Sequence, residues 1–302
     1  MGYGSGSLEL ISLASKLSEF IIMKISIGFS TCPNDTFIFD ALVNGKIDTH
    51  GLEFSPLLAD VEELNMKAVT AELDVTKLSY HAYGHVAMHY KVLDSGSALG
   101  HGNGPLVVSK RKISSEEINS ARIAIPGDLT TANFLMTVAF PQAQNKKSYL
   151  FSDIESALLN DEADIGVLIH ENRFTYEERG LSLIEDLGAF WERKTQLPIP
   201  LGGIVVNRSV PENVQLRLQK CIYDSIRFAF ENPESSLGYM RQYAQEMRED
   251  ILRQHVQTFV NDFSLSLGTD GQQAVRKLLD LGSNLGLFPK PENEIFVPIV
   301  NE

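Results

Sequence analysis

"LPIPLGGIVVN" (Leu197–Asn207) places two prolines and two glycines directly before an apolar strand. Proline removes a backbone donor and glycine frees φ, so "LPIPLGG" (Leu197–Gly203) reads as a crossing segment. A second such segment is "GHGNGP" (Gly100–Pro105). On both sides of these crossings, apolar strands alternate with amphipathic helices: "KISIGFS", "LEFSPLLA", "LDVTKLS", "GPLVVS", "ARIAIPG" and "DIGVLI" are strands. "DVEELNMKAVTAE" and "DIESALLNDEA" are helices, and the chain from Pro211 to Leu287 is largely helical, with breaks near Asn232-Pro233 and Gly268. This alternation predicts an α/β fold with mostly parallel sheets. A stretch bounded by two crossings is a lobe inserted into another. The expected layout is 23–104 and 205–302 as a discontinuous first lobe and 105–204 as the second. That is the hinged two-lobe plan of solute-binding proteins, with the ligand in the cleft between lobes.

The chain has 302 residues, 43% of them hydrophobic and 22% charged. That length suits two lobes of roughly 100–200 residues and a sizeable core. The net charge is −13, from 26 basic and 39 acidic side chains. Such a balance repels a polyanion, which argues against nucleic acid, but local donors can still hold a small anion. Two cysteines, Cys32 and Cys221, form neither a disulfide framework nor a zinc cluster and fit a reducing compartment. No apolar run reaches the roughly 20 residues that span a bilayer, so membrane insertion is not expected. Residues 1–22 start glycine-rich and continue weakly amphipathic, interrupted by Glu9, Lys16 and Glu19, before Met23 and the first convincing strand. They read as an extension outside the fold rather than a signal peptide, which points to the cytoplasm. Nothing in the composition sets an oligomeric state.

In open α/β sheets, ligands gather at the carboxyl ends of strands beside helix N-termini. Four junctions there carry polar residues: "STCPND", "TKLSY", "GDLTTAN" and "HENRF". Asn34 or Asp35 is a candidate N-cap for the helix through Val43, and Thr130 or Thr131 for the one after "RIAIP". Helix-start amides and hydroxyls make anion sites. Lys77 and Ser79 from one lobe, with Thr130, Thr131 and His170 from the other, therefore suit a small anionic ligand. Each has a plainer reading: a solvated lysine, a simple cap, a structural histidine. His170 ends a short apolar run, and an imidazole with an ordinary pKa near 6.5 suits proton abstraction at pH 7. Arg173 is open between a substrate carboxylate and a salt bridge to Glu171 or Glu177.

Other signals carry less. His81, His85 and His89 fall on one helix face, but the row spans about 12 Å, too long for three ligands of one ion. Cys32 sits near a helix start, which lowers a thiol pKa, yet no local signature marks it as a nucleophile. The G-x-G stretches lack a dinucleotide fingerprint.

"FSTCPNDTFIFDALV", "DVEELN", "TKLSYHAYG", "GSALGHGNGPLVV", "PGDLTTANFL", "GVLIHENRFTY" and "LPIPLGGIVVN" together closely resemble the 1,4-dihydroxy-6-naphthoate synthase family of menaquinone biosynthesis by the futalosine route. The resemblance runs from Met23 into the C-terminal region. It implies a two-lobed, periplasmic-binding-protein type II-like fold used as a cytoplasmic lyase. The implied substrate is cyclic dehypoxanthine futalosine, split into 1,4-dihydroxy-6-naphthoate and dihydroxyacetone. It implies His170 as general base and Lys77, Leu78, Ser79, Thr130, Thr131 and Ala132 as substrate contacts, with Asn34 and Asn65, in matching blocks, expected to line the cleft. Formation of the aromatic ring would drive the cleavage, so no metal or redox cofactor is expected. Two alternatives stand beside this: a non-catalytic solute-binding protein for a small anion, which predicts an export signal, and the chorismate dehydratase of the same pathway, against which the "IHENRFTY" block weighs.

Overall fold

A computed structural model describes residues 23–244 and 248–298; the extension expected at 1–22 lies outside the described residues. The chain opens with β1 (Met23–Phe29), α1 (Pro33–Val43), β2 (Leu52–Leu58), α2 (Val61–Val69), β3 (Val75–Ser79), α3 (Tyr80–Val86), β4 (Tyr90–Val92) and β5 (Ala98–Gly100). It then builds β6 (Leu106–Ser109), α4 (Ser115–Ile118), β7 (Ile123–Ile125), α5 (Thr131–Ala139), β8 (Lys146–Ser148), α6 (Ile154–Leu159), β9 (Ile165–Leu168), α7 (Asn172–Thr175), β10 (Ser182–Asp186) and α8 (Leu187–Thr195). β11 (Ile199–Asn207) returns to the first sheet. The helices α9 (Glu212–Glu231), α10 (Leu237–Tyr243), α11 (Glu249–Phe259), α12 (Asp262–Leu265) and α13 (Gly268–Asn284) follow.

Two sheets result. One has the order β2-β1-β3-β11-β4, with β5 also on β11; the other runs β10-β6-β9-β7-β8. They are mixed, which corrects the expectation of mostly parallel pairing. β1 pairs in parallel with β2 and β3, and β7 with β8 and β9. β11 runs antiparallel to β3, β4 and β5, and β6 antiparallel to β9 and β10. The reversed strands are those beside the crossings: β6 follows the passage out of the first sheet, and β11 brings the chain back into it.

The crossing at "LPIPLGG" is itself strand. β11 enters the first sheet already at Ile199, opposite Gly100 and ahead of the expected boundary at 205, with an irregularity between Pro200 and Gly202. Proline lacks a ladder donor and is tolerated at such bulges. Gly202 lies opposite Ser79, and a Cβ there would sit 2.6 Å from the Leu78 carbonyl oxygen. The prolines and glycines thus bend a strand and let it press against "KLS".

Apolar packing holds each lobe. Ile25, Ile27 and Phe29 of β1 pack with Phe39 and Leu42 of α1 and with Leu218, Ile222 and Ile226 of α9. This is the stripe expected of an amphipathic helix over a sheet. The second lobe buries Leu106, Val108, Ile154, Leu158 and Leu168 together. A third cluster bridges the two, joining Tyr80 and Tyr83 to Phe134, Val167 and Trp191. Trp191 donates from Nε1 to the Pro198 carbonyl at 3.0 Å, which fixes the approach to β11.

Candidate active site

The carboxyl ends of β1, β3 and β9 and the N-terminus of α5 meet at a cavity of about 100 Å³ between the sheets. Ligand pockets usually measure roughly 300–1,000 Å³, so substrate entry requires the lobes to part.

His170 stands just after β9 in a left-handed backbone conformation, φ 56°. For a residue with a Cβ this costs roughly 1–2 kcal/mol, and such strain concentrates at functional sites. The turn aims the imidazole at the cleft instead of along the strand. The residue is half-buried, and its Nε2 is enclosed with no hydrogen-bond partner. Phe151 meets the ring edge-on at 4.8 Å, and His255 stacks on it at 6.0 Å. Burial lowers the imidazole to about 4, against Asp35, which raises it, and together with Lys77, which lowers it. His170 is therefore neutral at pH 7, with a lone pair available.

Asp35 organises the opposite wall. Its carboxylate accepts from Ser30 N at 3.1 Å and Ser30 Oγ at 2.7 Å, from Asn34 Nδ2 at 2.8 Å and from Lys77 Nζ at 3.0 Å. Lys77 also donates to the Gly96 carbonyl at 3.0 Å. This lysine is buried and ion-paired, not solvated. Burying either charge alone is costly, so the pair stays together. Neither Asn34 nor Asp35 caps α1: Cys32 occupies that position, with Pro33 in the first turn. Asn34 is turned instead toward α11, where its Oδ1 accepts from His255 Nε2 at 2.9 Å. That bond leaves His255 Nδ1 facing Glu171 Oε2 at 3.6 Å. Burial drives the Cys32 thiol well above its ordinary range, reinforced by the Glu171 carboxylate, so it carries no thiolate at neutral pH.

The structure brings most of the expected residues to one place. Asn34, Lys77, Leu78 and Ser79 line one wall; Thr130, Thr131, Ala132 and His170 line the other. The two threonine hydroxyls are already engaged. Thr130 Oγ1 caps α5 by accepting from Asn133 N and donates to Gly127 O. Thr131 Oγ1 donates to Leu201 O at 2.6 Å. What "TTA" offers the cleft is backbone, since first-turn N–H groups have no carbonyl within their own helix. Asn65 does not line the cavity. It stands behind Ser79, accepting from Ser79 N at 2.9 Å while its Nδ2 approaches Ser79 Oγ at 3.3 Å. The histidine row is broken as well: α3 ends at Val86, and His89 is exposed beyond it. His81 and His85 pack around Phe288.

Sequence reading missed His255, Asp35 and Asn103. His255 falls in the inward stripe of α11 with Ile251, Leu252 and Phe259; a histidine in an otherwise apolar helix face was the available signal. Arg173 does not pair with Glu177 or Glu171. Its Nη2 donates to Gly102 O at 3.0 Å and stands 3.8 Å from Asp186.

Several bonds cross between lobes. Glu62 Oε1 accepts from Leu129 N at 2.9 Å, and Gly127, φ 144°, leaves room for its carboxylate where a Cβ would collide. His81 Nδ1 meets Thr130 O at 3.2 Å. The lobes are closed on the site.

Comparison with known proteins supplies what geometry alone leaves open. The menaquinone biosynthesis family model matches residues 25–284. The chain belongs to that family. A family relative from Thermus thermophilus, named 1,4-dihydroxy-6-naphthoate synthase, is 41% identical over 273 residues, covering 90% of this chain and 99% of its own length. One of the same name from Streptomyces coelicolor is 36% identical over 271 residues, covering 88% and 95%. A crystal structure of a protein from Archaeoglobus fulgidus superposes with a TM-score of 0.83 at 35% identity, over 88% of this chain and 98% of that one. The periplasmic aliphatic sulphonate-binding protein of Escherichia coli superposes with a TM-score of 0.63 over 92% and 94%, at 9% identity. That likeness shows the fold alone: this menaquinone-family chain has the two-lobed α/β architecture of periplasmic binding proteins.

Proposed function

We propose that this family member is a carbon–carbon lyase that forms 1,4-dihydroxy-6-naphthoate from cyclic dehypoxanthine futalosine, with His170 as its general base. One observation carries the reading. A neutral imidazole, its Nε2 buried and unpartnered, is held by a strained turn at an interlobe cavity, in a chain 41% identical to a protein named for that product.

The geometry supports a simple sequence of roles. His170 takes a proton from the substrate beside the bond to be broken. The carbon–carbon bond then breaks, dihydroxyacetone leaves, and the electron pair is absorbed as the ring becomes aromatic. Ser79 and the first-turn amides of α5 face the oxygens on which negative charge develops, where fixed dipoles are most effective. The Asp35–Lys77 pair holds the β3 end rigid and is electrically balanced, so it anchors the wall without dominating the field. The lobes, which part after β5 and rejoin where β11 enters the first sheet at Ile199, close over the reacting atoms and exclude water. The substrate is a small anionic molecule, and the reading places the step in the cytoplasm.

The test is turnover of the cyclic substrate by purified protein with no cofactor added. Naphthoate and dihydroxyacetone in equal amounts are the expected result. Saturable binding without turnover would return the chain to the solute-binding class, and dehydration of chorismate would assign it the other step of the pathway.

A further inference from the structure

Among the described residues, three buried polar atoms on the cavity-lining side chains lack a hydrogen-bond partner: His170 Nε2, Arg173 Nη1 and Asn103 Oδ1. The first belongs to the base. The other two are not assigned to the proton chemistry: Asn103 lies where the chain crosses between β5 and β6, and Arg173 reaches the same crossing through Gly102.

Arg173 reaches this place from the single turn of α7. Its side chain is 10% exposed. One side of the guanidinium is tied down, since Nη2 donates to the Gly102 carbonyl at 3.0 Å. Asp186 lies 3.8 Å from the same nitrogen, beyond hydrogen-bond reach, and spends its Oδ1 capping α8 through Gly188 N and Ala189 N. Nη1 is left over. A buried donor without an acceptor costs roughly 1–3 kcal/mol, more when charged, and native structures keep such a group only where something else repays it. Asn103 follows the residue that anchors Arg173. Its amide is 1% exposed, and its Nδ2 makes only a 3.5 Å contact with Thr258 O. Turning the amide over therefore sacrifices little and presents a donor in place of Oδ1. Ile169, Leu201 and Phe259 supply apolar wall in the same cavity.

A planar fork with a free N–H, a reversible amide beside it and an apolar wall fit an aromatic carboxylate. Arginine binds that group through paired, charge-assisted bonds. We propose that Arg173, assisted by Asn103, is the subsite for the aryl carboxylate of the substrate and so sets specificity for carboxylated ring systems. This rests on the reading that the site produces a naphthoate, and it assigns the charged end of the molecule to the crossover rather than to α5. The developing oxyanions remain at Ser79 and the α5 amides.

Binding without turnover tests it separately from the lyase reading. The probes are 2-naphthoate and naphthalene-2-carboxamide, titrated calorimetrically into the full chain. The native protein should bind the carboxylate at least tenfold more tightly than the amide. Arg173→Met should erase that preference while leaving the amide within about twofold, and Arg173→Lys should restore part of it. Asn103→Asp, which sets a resident carboxylate beside the arginine to repel and compete with the ligand's, should also erase it, and thermal melts establish that each variant is folded. Failure of the native chain to prefer the carboxylate, or an undiminished preference in folded Arg173→Met or folded Asn103→Asp, overturns the proposal. Should Arg173→Met not fold, the Lys and Asp variants decide. If the preference behaves as stated but the cyclic substrate is not turned over, the subsite stands and the lyase reading falls.

Discussion

The imidazoles of His170 and His255 stack with centroids 6.0 Å apart and planes 15° from parallel, one following β9 in the second lobe and the other on α11 in the first. Two rings in that arrangement do not carry charge together in a buried site. Burial pushes His255 well below its ordinary range, and His170 and Arg173 add to the effect. Lobe closure therefore does more than exclude water. It places the His170 imidazole against a neutral neighbour whose own ring is oriented by Asn34.

His170, lowered to about 4, is deprotonated across the neutral range. The acid limb of kcat/KM should therefore fall near pH 4–5 and not near 6.5, the ordinary imidazole value. A pH–rate profile in mixed buffers reads this directly. An acid limb centred on 6.5 would argue against His170 as the group that titrates.

His170→Asn is the informative replacement, because asparagine tolerates the left-handed backbone that this position requires. Loss of a general base is expected to reduce kcat by about 10²–10⁴-fold. KM should stay within a few-fold and the thermal melt should be unchanged. Single-turnover assays of naphthoate release give the rate, and unimpaired turnover would remove His170 from the mechanism.

His255→Leu keeps the volume of the α11 stripe but leaves Asn34 Oδ1 without its 2.9 Å donor. An unpaired buried acceptor costs about 1–3 kcal/mol, to be read from urea unfolding. If the ring also orients His170, kcat should fall by about 10- to 100-fold with KM nearly constant. His255→Gln, which can still donate toward Asn34, should recover stability more than rate.

His81 gives a stability prediction of definite sign. It is buried, Thr130 O faces its Nδ1, and His85, Phe134 and Phe288 surround it. Burial lowers it to about 4, His85 and Lys146 acting in the same direction and the Thr130 carbonyl against. Above pH 6.5 the ring is neutral in both folded and unfolded chains and contributes no pH dependence. Below that, the unfolded chain takes up the proton first, so stability falls as pH drops toward 4, by on the order of 3 kcal/mol for this residue. Denaturant melts at pH 7.5 and 4.5 should show the loss, and His81→Asn should show less of it. His170 and His255 contribute in the same direction, so the variant reduces the slope without abolishing it.

Glu62 ties the lobes together through its bond to Leu129 N at 2.9 Å, and its carboxylate is steadied within α2 by Asn65 Nδ2 at 2.9 Å. Glu62→Ala removes both. A charge-assisted bond is worth about 1.5–3 kcal/mol, part of which appears here as a shift toward the open state. KM should rise by roughly an order of magnitude with a smaller effect on kcat. Small-angle scattering should show a larger mean radius for the unliganded variant; an unchanged radius and KM would make the contact incidental to closure.

Local chemistry explains what was legible in the sequence. Thr130 caps α5 and Asp60 caps α2, where a side-chain oxygen answers an N–H only a few residues away. The same locality misled at "LPIPLGG". Proline and glycine announce a departure from regular geometry, and whether that departure is a loop or a bulged strand depends on the partner: here β5 on one stretch and "KLS" on another. Asn34 and Asp35 looked like caps because their neighbours are helical, but their partners lie on β3 and α11.

The sequence by itself determined the two-lobe α/β plan, the family, and His170, Ser79 and the α5 start as cleft residues, because strand ends and helix starts are written in contiguous residues. Only the tertiary structure decided that Lys77 is neutralised by Asp35, that Asn65 supports Ser79 from behind, and that His255, 221 residues from Asn34, stacks on His170. It also left Arg173, a cavity-lining residue, with a buried donor that has no partner. Each of these depends on which side chains reach across a closed interface, and that distance is fixed by packing, not by spacing along the chain.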